Sequence, residues 1–333
     1  MEFMDIMIEK ARKNPKKIVF PEANEKMILK VARYLQDKGI ILPVLIGNPE
    51  EIKDLSQREN ININNMEVLN NDDSKFKERI VKEFLTINDI FSEKALNRKF
   101  KNPLNFASAV VKLGMGDCLA AGLNYTTAEV ILSAQSFIGM GEGIDIVSSI
   151  GIVEFPYYKG SEDNMLVFGD CAVNPSPDSK GLADIVISSA ETVKRVLGWE
   201  PHVAMLSFST KGSGEHESID KILKAVDIVK EKRPELKIDG ELQLDAAIIP
   251  RIAEKKLKME SEVAGRANIL IFPDLGAGNI GVKIAQIFAK ATAHGPLLQG
   301  FSKPVTDFSR SAPFEEIVGN LIMLVNSANK EVV

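Results

Sequence analysis

The sequence has few of the residues that form covalent or metal cross-links. Its 333 residues include two cysteines and three histidines, and no histidine has a second histidine or a carboxylate at metal-ligand spacing. Two cysteines are too few for a disulfide framework or a thiolate metal cluster. We therefore expect a reduced, cytoplasmic protein that holds no metal.

Neither an excess of one charge nor a long apolar run is present. The 41 Lys and Arg against 46 Asp and Glu leave a net charge of −5, and no segment is basic enough to follow a nucleic-acid backbone. No charge-free apolar run reaches the roughly 18 residues of a membrane span, and charged residues interrupt 1–17 where a signal peptide would need an apolar core. We expect no nucleic-acid partner and no membrane, and any anionic ligand must be held by local donors.

The chain does contain an alternation of short apolar runs with helical patterns. The opening predicts a strand over 17–20, a helix over 25–38 that ends at Gly39, and a strand over 42–46. Further strands are predicted at 145–147, 165–168, 202–206 and 267–272. This alternation predicts parallel sheets covered by helices on both faces, and the length predicts about two domains.

Three motifs follow or precede these elements, and the first is rich in glycine. Residues 276–281 contain the pattern G-x-G-x-x-G after an apolar strand and before a helix predicted over 282–290. No acid that could hold a ribose follows at the expected distance, which disfavours a dinucleotide site. Two interpretations remain open: a helix N-terminus that holds a phosphate-like anion with Lys283, and a turn needed only for tight packing.

The second motif, Ser207–Gly214, combines hydroxyls, a lysine and two glycines after a predicted strand. This composition suits an oxyanion or a phosphate, but it lacks the order of a nucleotide-binding P-loop. A flexible surface loop is the alternative interpretation.

The third motif precedes a helix predicted to begin near Ser311 and Pro313. Ser309 and Arg310 lie just before this helix, and Glu316 points away from its apolar stripe, so a hydroxyl, a guanidinium and a carboxylate lie near a positive helix end. A capped and solvated C-terminal helix would have the same composition. Cys171 follows a predicted strand and could be a nucleophile, although a cysteine there is more often a packed small residue.

Several blocks of this chain, taken in order, resemble the family of phosphate acyltransferases that includes phosphate acetyltransferase (phosphotransacetylase). The resemblance is dense from about Pro103 onward and sparse between residues 55 and 100. The matching blocks are 18–22, 170–175, 190–192, 203–214, 239–247, 272–275, 278–281, 295–300 and 307–310.

The resemblance implies a fold and an assembly. The fold is α/β, with two doubly wound parallel-sheet domains and a cleft between them, like that of isocitrate and isopropylmalate dehydrogenases. The expected domain 1 is discontinuous, 1–145 plus 303–333, and the inserted domain 2 is 146–302. The family also implies a homodimer that needs no cofactor, because coenzyme A is a substrate.

The implied activity is reversible transfer of an acetyl group between acetyl phosphate and coenzyme A. Ser309 and Arg310 are expected to flank the acyl phosphate, and Glu316 is expected to be the base for the thiol. Contacts with the substrates are expected from Asn124, Thr127, Ser149, Asn279 and Lys283.

Two departures from the family pattern bear on this expectation. Glu316 stands where the family commonly has aspartate, and Leu132 stands where it usually has arginine. Since Leu132 cannot donate a hydrogen bond, an anion contact is missing or comes from elsewhere. The alternatives are a phosphate propanoyl- or butyryltransferase, a non-catalytic acyl-CoA-binding homologue and a nicotinamide-dependent dehydrogenase.

Overall fold

A computed structural model describes residues 3–329, which form two compact units. Unit 1 contains residues 3–140 together with 301–329, and unit 2 contains residues 141–300. The chain therefore leaves unit 1 once, forms unit 2 and returns. No helix among the described residues is long and apolar enough to cross a membrane.

Unit 1 begins with eleven elements. They are α1 (Phe3–Lys13), β1 (Lys16–Phe20), α2 (Lys26–Asp37), β2 (Ile41–Ile46), α3 (Pro49–Arg58), β3 (Glu67–Leu69), α4 (Ser74–Leu85), α5 (Glu93–Lys99), α6 (Pro103–Lys112), β4 (Cys118–Ala121) and α7 (Thr127–Phe137).

Unit 2 contributes the next eleven. They are β5 (Ser148–Glu154), β6 (Met165–Gly169), α8 (Ser179–Leu197), β7 (His202–Leu206), α9 (Glu217–Lys232), β8 (Lys237–Leu242), α10 (Leu244–Ile248), α11 (Pro250–Lys256), β9 (Ile269–Ile271), α12 (Leu275–Phe288) and β10 (Thr292–Gln299). The chain then returns to unit 1 with β11 (Val305–Asp307) and α13 (Phe314–Ser327).

The sheet of unit 1 has five parallel strands in the order β11-β4-β1-β2-β3. Its central strands read as continuous apolar runs because helices cover both faces; Ile18, Val19 and Phe20 in β1 are fully buried. Side-chain caps fix several helix starts, including a reciprocal capping box between Thr126 and Glu129 at α7. Because β11, β4 and β1 are parallel neighbours, their carboxyl ends lie side by side at one edge of the sheet.

The sheet of unit 2 has six strands in the order β10-β5-β6-β9-β7-β8. The pairs β6–β9, β9–β7 and β7–β8 are parallel, whereas β5 runs antiparallel to both β6 and β10. The prediction of two mostly parallel sheets is confirmed, with strand β5 as the exception. The loops after β6, β7 and β9 lie at one edge, where parallel sheets usually bind ligands.

Two predicted element boundaries are wrong. Residues 145–147 precede β5, which begins at Ser148, so the strand lies later in the sequence than its apolar residues indicated. Helix α12 begins at Leu275, because the Asp274 side chain accepts a hydrogen bond from the N–H of Ala277 and caps it there. The glycine motif 276–281 therefore lies inside the helix, which the sequence had predicted to begin at 282.

Candidate active site

The predicted residues of unit 1 follow two neighbouring strands. Asn124 and Thr127 come after β4, and Ser309 and Arg310 come after β11, which pairs with β4 up to Asp307 opposite Ala121. The two strand ends are joined directly, since the N–H of Phe308 donates to the carbonyl of Ala121 at 2.8 Å. The structure thus brings these four residues to one edge of the sheet, and all four are exposed.

Ser309 and Arg310 occupy the short connection between β11 and α13. The Ser309 hydroxyl lies 3.3 Å from that of Ser311, and the Ser309 carbonyl accepts from the N–H of Ala312 at 2.9 Å. Arg310 is close enough to Glu129 of α7 that its charge contributes, after two hydrogen bonds from Thr126, to lowering the pKa of that carboxyl.

Glu316 lies in the first turn of α13, which follows that connection. The N-cap residue is Pro313, which offers no side-chain hydrogen bond, so the first N–H groups of the helix lack a side-chain cap. Glu315 and Glu316 are both exposed and face the positive end of the helix dipole. The predicted base therefore stands one turn into a helix whose N-terminus is available to an anion.

A buried carboxylate organises the loop after β4. Glu22, which follows β1 and is 2% exposed, accepts the backbone N–H groups of Gly122 at 2.9 Å, Leu123 at 3.3 Å and Asn124 at 2.5 Å. The side-chain amide of Asn124 donates to Glu25 at 2.8 Å. Asn124 is thus held from both its backbone and its side chain.

Asp307, at the end of β11, is hydrogen-bonded to Thr127, which follows β4. Its Oδ2 accepts from the hydroxyl of Thr127, and burial, followed by the charge of Glu22, raises the pKa of Asp307 to about 6 even though the Thr127 hydrogen bond opposes this rise. Glu22 and Asp307 were not singled out from the sequence. Their signal was an acid at or just after the end of an apolar strand, the position where parallel sheets place functional groups.

In unit 2, the predicted residue Ser149 is fully buried on β5. Its hydroxyl donates to Asp170, and it accepts the N–H of Cys171 at 3.4 Å. Asp170 also accepts from the N–H groups of Ala172, Val173 and Asn174. Because its hydroxyl is committed to this loop, the geometry favours a structural role for Ser149 over the substrate contact we predicted.

Asn279 and Lys283 lie one turn apart on α12 and are exposed. The Asn279 amide donates to the carbonyl of Cys171 at 3.4 Å. A Cβ at Gly278 would lie 2.3 Å from the carbonyl oxygen of Asp170, so this glycine is required for close packing of the helix against the loop after β6. Of the interpretations of the glycine motif, this contact favours tight packing, and the Asp274 cap weakens the anion-binding one.

The serine-rich segment after β7 is folded around a buried acid. Glu241 is 2% exposed and accepts from the Ser209 hydroxyl at 3.0 Å and from the N–H of Gly212 at 2.7 Å. Lys211 pairs with Asp239 and also donates to the carbonyl of Gly240 at 2.7 Å. The Ser209 hydroxyl and Lys211 are engaged in these contacts, which favour a fixed segment over the alternative of a flexible surface loop.

Neither cysteine is arranged as a nucleophile. Cys118 and Cys171 are both free and buried. Burial and then the charge of Asp170 raise the pKa of Cys171 to about 12, and burial raises the pKa of Cys118 as well. Within residues 3–329 no group of three or more His, Cys, Asp or Glu side chains is placed to hold a metal ion.

Two α/β units with polar residues at the carboxyl ends of their strands define the class of α/β protein in which ligand sites lie at sheet edges. A family model described as phosphate acetyl/butaryl transferase matches residues 2–325. The phosphate acetyltransferase of Thermoanaerobacterium thermosaccharolyticum is 44% identical over 321 residues, which cover 96% of this chain and 97% of that protein. The chain therefore belongs to the phosphate acetyl/butaryl transferase family, and it is an acyltransferase.

Solved structures agree with this assignment. The EutD phosphotransacetylase from Staphylococcus aureus has a TM-score of 0.89 and 34% identity, with 99% of this chain and 100% of that chain covered. A protein described as a 4-hydroxythreonine-4-phosphate dehydrogenase from Salmonella typhimurium has a TM-score of 0.53 at 11% identity, covering 94% of this chain and 99% of that chain. This second likeness concerns the fold alone, and it confirms the prediction of a dehydrogenase-like fold.

Proposed function

We propose that this protein catalyses reversible transfer of an acetyl group between acetyl phosphate and coenzyme A. The observation that supports the proposal is the pairing of β4 with β11, since Thr127 follows β4, Ser309 and Arg310 follow β11, and Thr127 donates to Asp307 at the end of β11. Membership of the phosphate acetyl/butaryl transferase family supplies the class of reaction. Coenzyme A and acetyl phosphate are the proposed substrates, and no further cofactor is needed for this chemistry.

The proposed reaction is direct displacement at the acetyl carbon. Glu316 accepts the proton of the coenzyme A thiol, because the thiolate is the reactive nucleophile. The sulfur forms a bond to the acetyl carbon, the bond from that carbon to the phosphate oxygen breaks, and phosphate leaves with the electron pair. The proton on Glu316 is then returned to phosphate or solvent. No covalent bond to the protein forms, in agreement with a buried, protonated Cys171.

Charge stabilisation in this reaction is assigned to the connection between β11 and α13. Arg310 supplies a permanent guanidinium charge for the phosphoryl oxygens, and the Ser309 hydroxyl is a donor for the oxyanion that develops on the acetyl group. The N–H groups at the start of α13 lack a side-chain cap and add a partial positive charge beside them. In unit 2, Asn279 and Lys283 stay proposed substrate contacts because both are exposed.

The test is formation of acetyl-CoA from coenzyme A and acetyl phosphate, followed by thioester absorbance. Glu316→Ala should lower kcat by about 10²- to 10⁴-fold, the usual contribution of a positioned base. Glu315→Ala is the matched control, since it removes an equally exposed carboxylate from the same helical turn. If Glu316→Ala had the same kcat as Glu315→Ala, Glu316 would not be the base. Absence of turnover in a folded wild-type protein would refute the proposed function.

A longer acyl group is the second candidate, and Leu132 is the observation that favours it. This side chain lies on α7 and is 65% exposed, at a position where the family usually has arginine. An exposed apolar side chain there would favour a propanoyl or butanoyl group by the hydrophobic effect. Propanoyl and butanoyl phosphates belong in the same assay; a higher kcat/KM for either one would move the assignment to the longer-chain activity.

We further propose a homodimer, and α12 offers a surface for it. Ile280, Ile284 and Ile287 recur along one side of the helix, and they are 60%, 53% and 67% exposed, with Phe288 beside them at 80%. Burying such an apolar face against a second copy is favourable. Ile284→Glu should yield a monomer in analytical ultracentrifugation, and an unchanged sedimentation coefficient would exclude this face.

Two free cysteines fit the cytoplasmic location that we also propose.

A further inference from the structure

The hydrogen bond between Thr127 and Asp307 joins a predicted substrate contact to a half-buried carboxyl. Thr127 is exposed as the first residue of α7, and its hydroxyl donates to Oδ2 of Asp307 at the end of β11. Asp307 lies two residues before Ser309. A change in the protonation of Asp307 therefore acts directly on a hydroxyl at the proposed site.

The second carboxyl oxygen of Asp307 has a different environment. Oδ1 is buried and has no hydrogen-bond partner among the described residues. A Cβ at Gly122 would lie 2.5 Å from this atom, so the backbone after β4 closes over it. The carboxyl thus has one partnered oxygen and one that gains nothing from its negative charge, which is an environment that favours a protonated acid.

The Thr127 hydroxyl carries one proton, and Asp307 decides where that proton points. An ionised carboxylate can only accept, so Thr127 must donate to it and can offer only lone pairs to a ligand. A protonated Asp307 can donate its own proton to Thr127. The hydroxyl of Thr127 is then free to donate outward to an anion.

We propose that Asp307 is a positioning residue that switches Thr127 between hydrogen-bond acceptor and donor, so that a phosphate-like anion binds together with one proton. The inference rests on the proposed function, because it takes the phosphoryl group to be the ligand beside Thr127. It adds a proton to the binding step for phosphate.

The other charged groups around this pair are compatible with the switch. Glu22 faces Asp307 from the end of β1, and its charge adds to burial in raising the pKa of Asp307 to about 6. Three backbone N–H groups fix that carboxylate, and Glu25 beside it accepts from Asn124. Glu129 on α7 and Arg310 after β11 are exposed, and the pKa of Glu129 is lowered, so Glu129 does not titrate near pH 6.

The experiment is calorimetric titration of the full chain with sulfate in pairs of buffers that differ in ionisation enthalpy. Sulfate is chosen because its charge does not change over this range, whereas phosphate itself takes up a proton. With a pKa of about 6, Asp307 is about 90% ionised near pH 7, so sulfate binding should take up about 0.9 proton there and about 0.1 near pH 5. The apparent affinity should be up to about tenfold higher near pH 5.

Variants separate the switch from a structural effect. Asp307→Asn and Thr127→Val should each bind sulfate with no proton uptake, and Thr127→Ser should restore it. Glu129→Gln is the control: glutamine can keep the capping box, and the uptake should be unchanged. If Asp307→Asn does not fold, the Thr127 pair still decides the question.

Three results would overturn the proposal: uptake below about 0.2 proton near pH 7 in the wild-type protein, uptake that persists in Asp307→Asn or Thr127→Val, or no sulfate binding at either pH. Turnover is not read in this titration. A protein that makes no acetyl-CoA can still take up the proton, so failure of the proposed function is seen separately.

Discussion

Replacement of Glu22 by glutamine tests how the site in unit 1 is held. Glu22 is 2% exposed, and both of its oxygens accept backbone N–H groups, those of Gly122 and Leu123 on one side and that of Asn124 on the other. Glutamine keeps the shape but turns one of these oxygens into an NH₂ group. The NH₂ group of the glutamine would then face backbone N–H groups, so two hydrogen-bond donors would meet without an acceptor. The backbone of 122–124 cannot turn its N–H groups away without breaking the turn after β4.

The magnitude follows from the bonds that are lost. A hydrogen bond to a charged acceptor contributes about 1.5–3 kcal/mol, and a buried donor left without a partner costs about 1–3 kcal/mol. In Glu22→Gln, the hydrogen bonds to one former carboxyl oxygen are lost and those to the other are weakened. The free energy of local opening of 122–124 should therefore fall by about 2 kcal/mol. This corresponds to roughly thirtyfold faster hydrogen exchange at these amides.

The assay is hydrogen exchange of the amides of Gly122, Leu123 and Asn124. Glu25→Gln is the matched control, because Glu25 holds only the side chain of Asn124 and no backbone N–H of this loop. The control should change exchange at these amides by less than about threefold. Exchange in Glu22→Gln that matches the wild-type rates would refute the reasoning, since it would mean that the carboxylate does not hold the loop.

Three further predictions concern stability and reactivity. The pKa of Asp307 is raised above its ordinary 3.8, so the folded protein binds more protons than the unfolded chain and stability falls as pH rises from about 4 to about 6. The free energy of unfolding, measured by urea titration at these two pH values, should fall by about 1–2 kcal/mol less in Asp307→Asn than in the wild-type protein, after allowance for solvent screening. The same fall in both proteins would contradict this prediction. Gly278→Ala should lower the free energy of unfolding by about 1–3 kcal/mol because its Cβ would meet Asp170, whereas Gly276→Ala, with its nearest contact at 3.1 Å, should cost less. With a pKa of about 12, Cys171 should react with a thiol reagent near pH 8 about 10³-fold more slowly than an ordinary cysteine, and Cys171→Ala should retain turnover; fast labelling of the folded protein would exclude this environment.

The sequence predicted the elements wherever apolar periodicity alone decided them. The strand over 202–206 agrees with β7, and the predicted helix over 25–38 agrees with α2 to within one residue at each end. The predictions failed where one side chain set the boundary. Asp274 caps α12 and draws the glycine motif into the helix, an effect that a pattern of glycines after a strand does not reveal.

The sequence indicated the exposed groups of the candidate site and not its buried ones. Ser309, Arg310 and Glu316 were named by the resemblance to the family, and a hydroxyl and two charges near a helix start are compatible with it. The three acids Glu22, Asp170 and Glu241 are 2–3% exposed and bind loop N–H groups, yet in the sequence each resembles an ordinary surface residue. Glu22 and Glu241 bind N–H groups of loops that follow other strands, and Asp170, besides the N–H groups of its own loop, accepts the hydroxyl of Ser149 on β5. Such pairing of distant strand ends is fixed by topology, which local patterns do not encode.

Three acids, Glu22, Glu241 and Asp274, explain why glycine-rich and serine-rich segments do not by themselves indicate where a phosphate binds. The free N–H groups after β4 are occupied by Glu22, those after β7 by Glu241, and the start of α12 by Asp274. A phosphate at the sheet edge of unit 1 must therefore be held by side-chain donors and by a helix start that no side chain caps. Arg310 and the start of α13 meet that requirement next to Ser309, and the start of α7 does not, because Thr126 and Glu129 close it. Any anion at this edge should thus lie on the α13 side of Thr127, within reach of the one hydroxyl whose direction Asp307 controls.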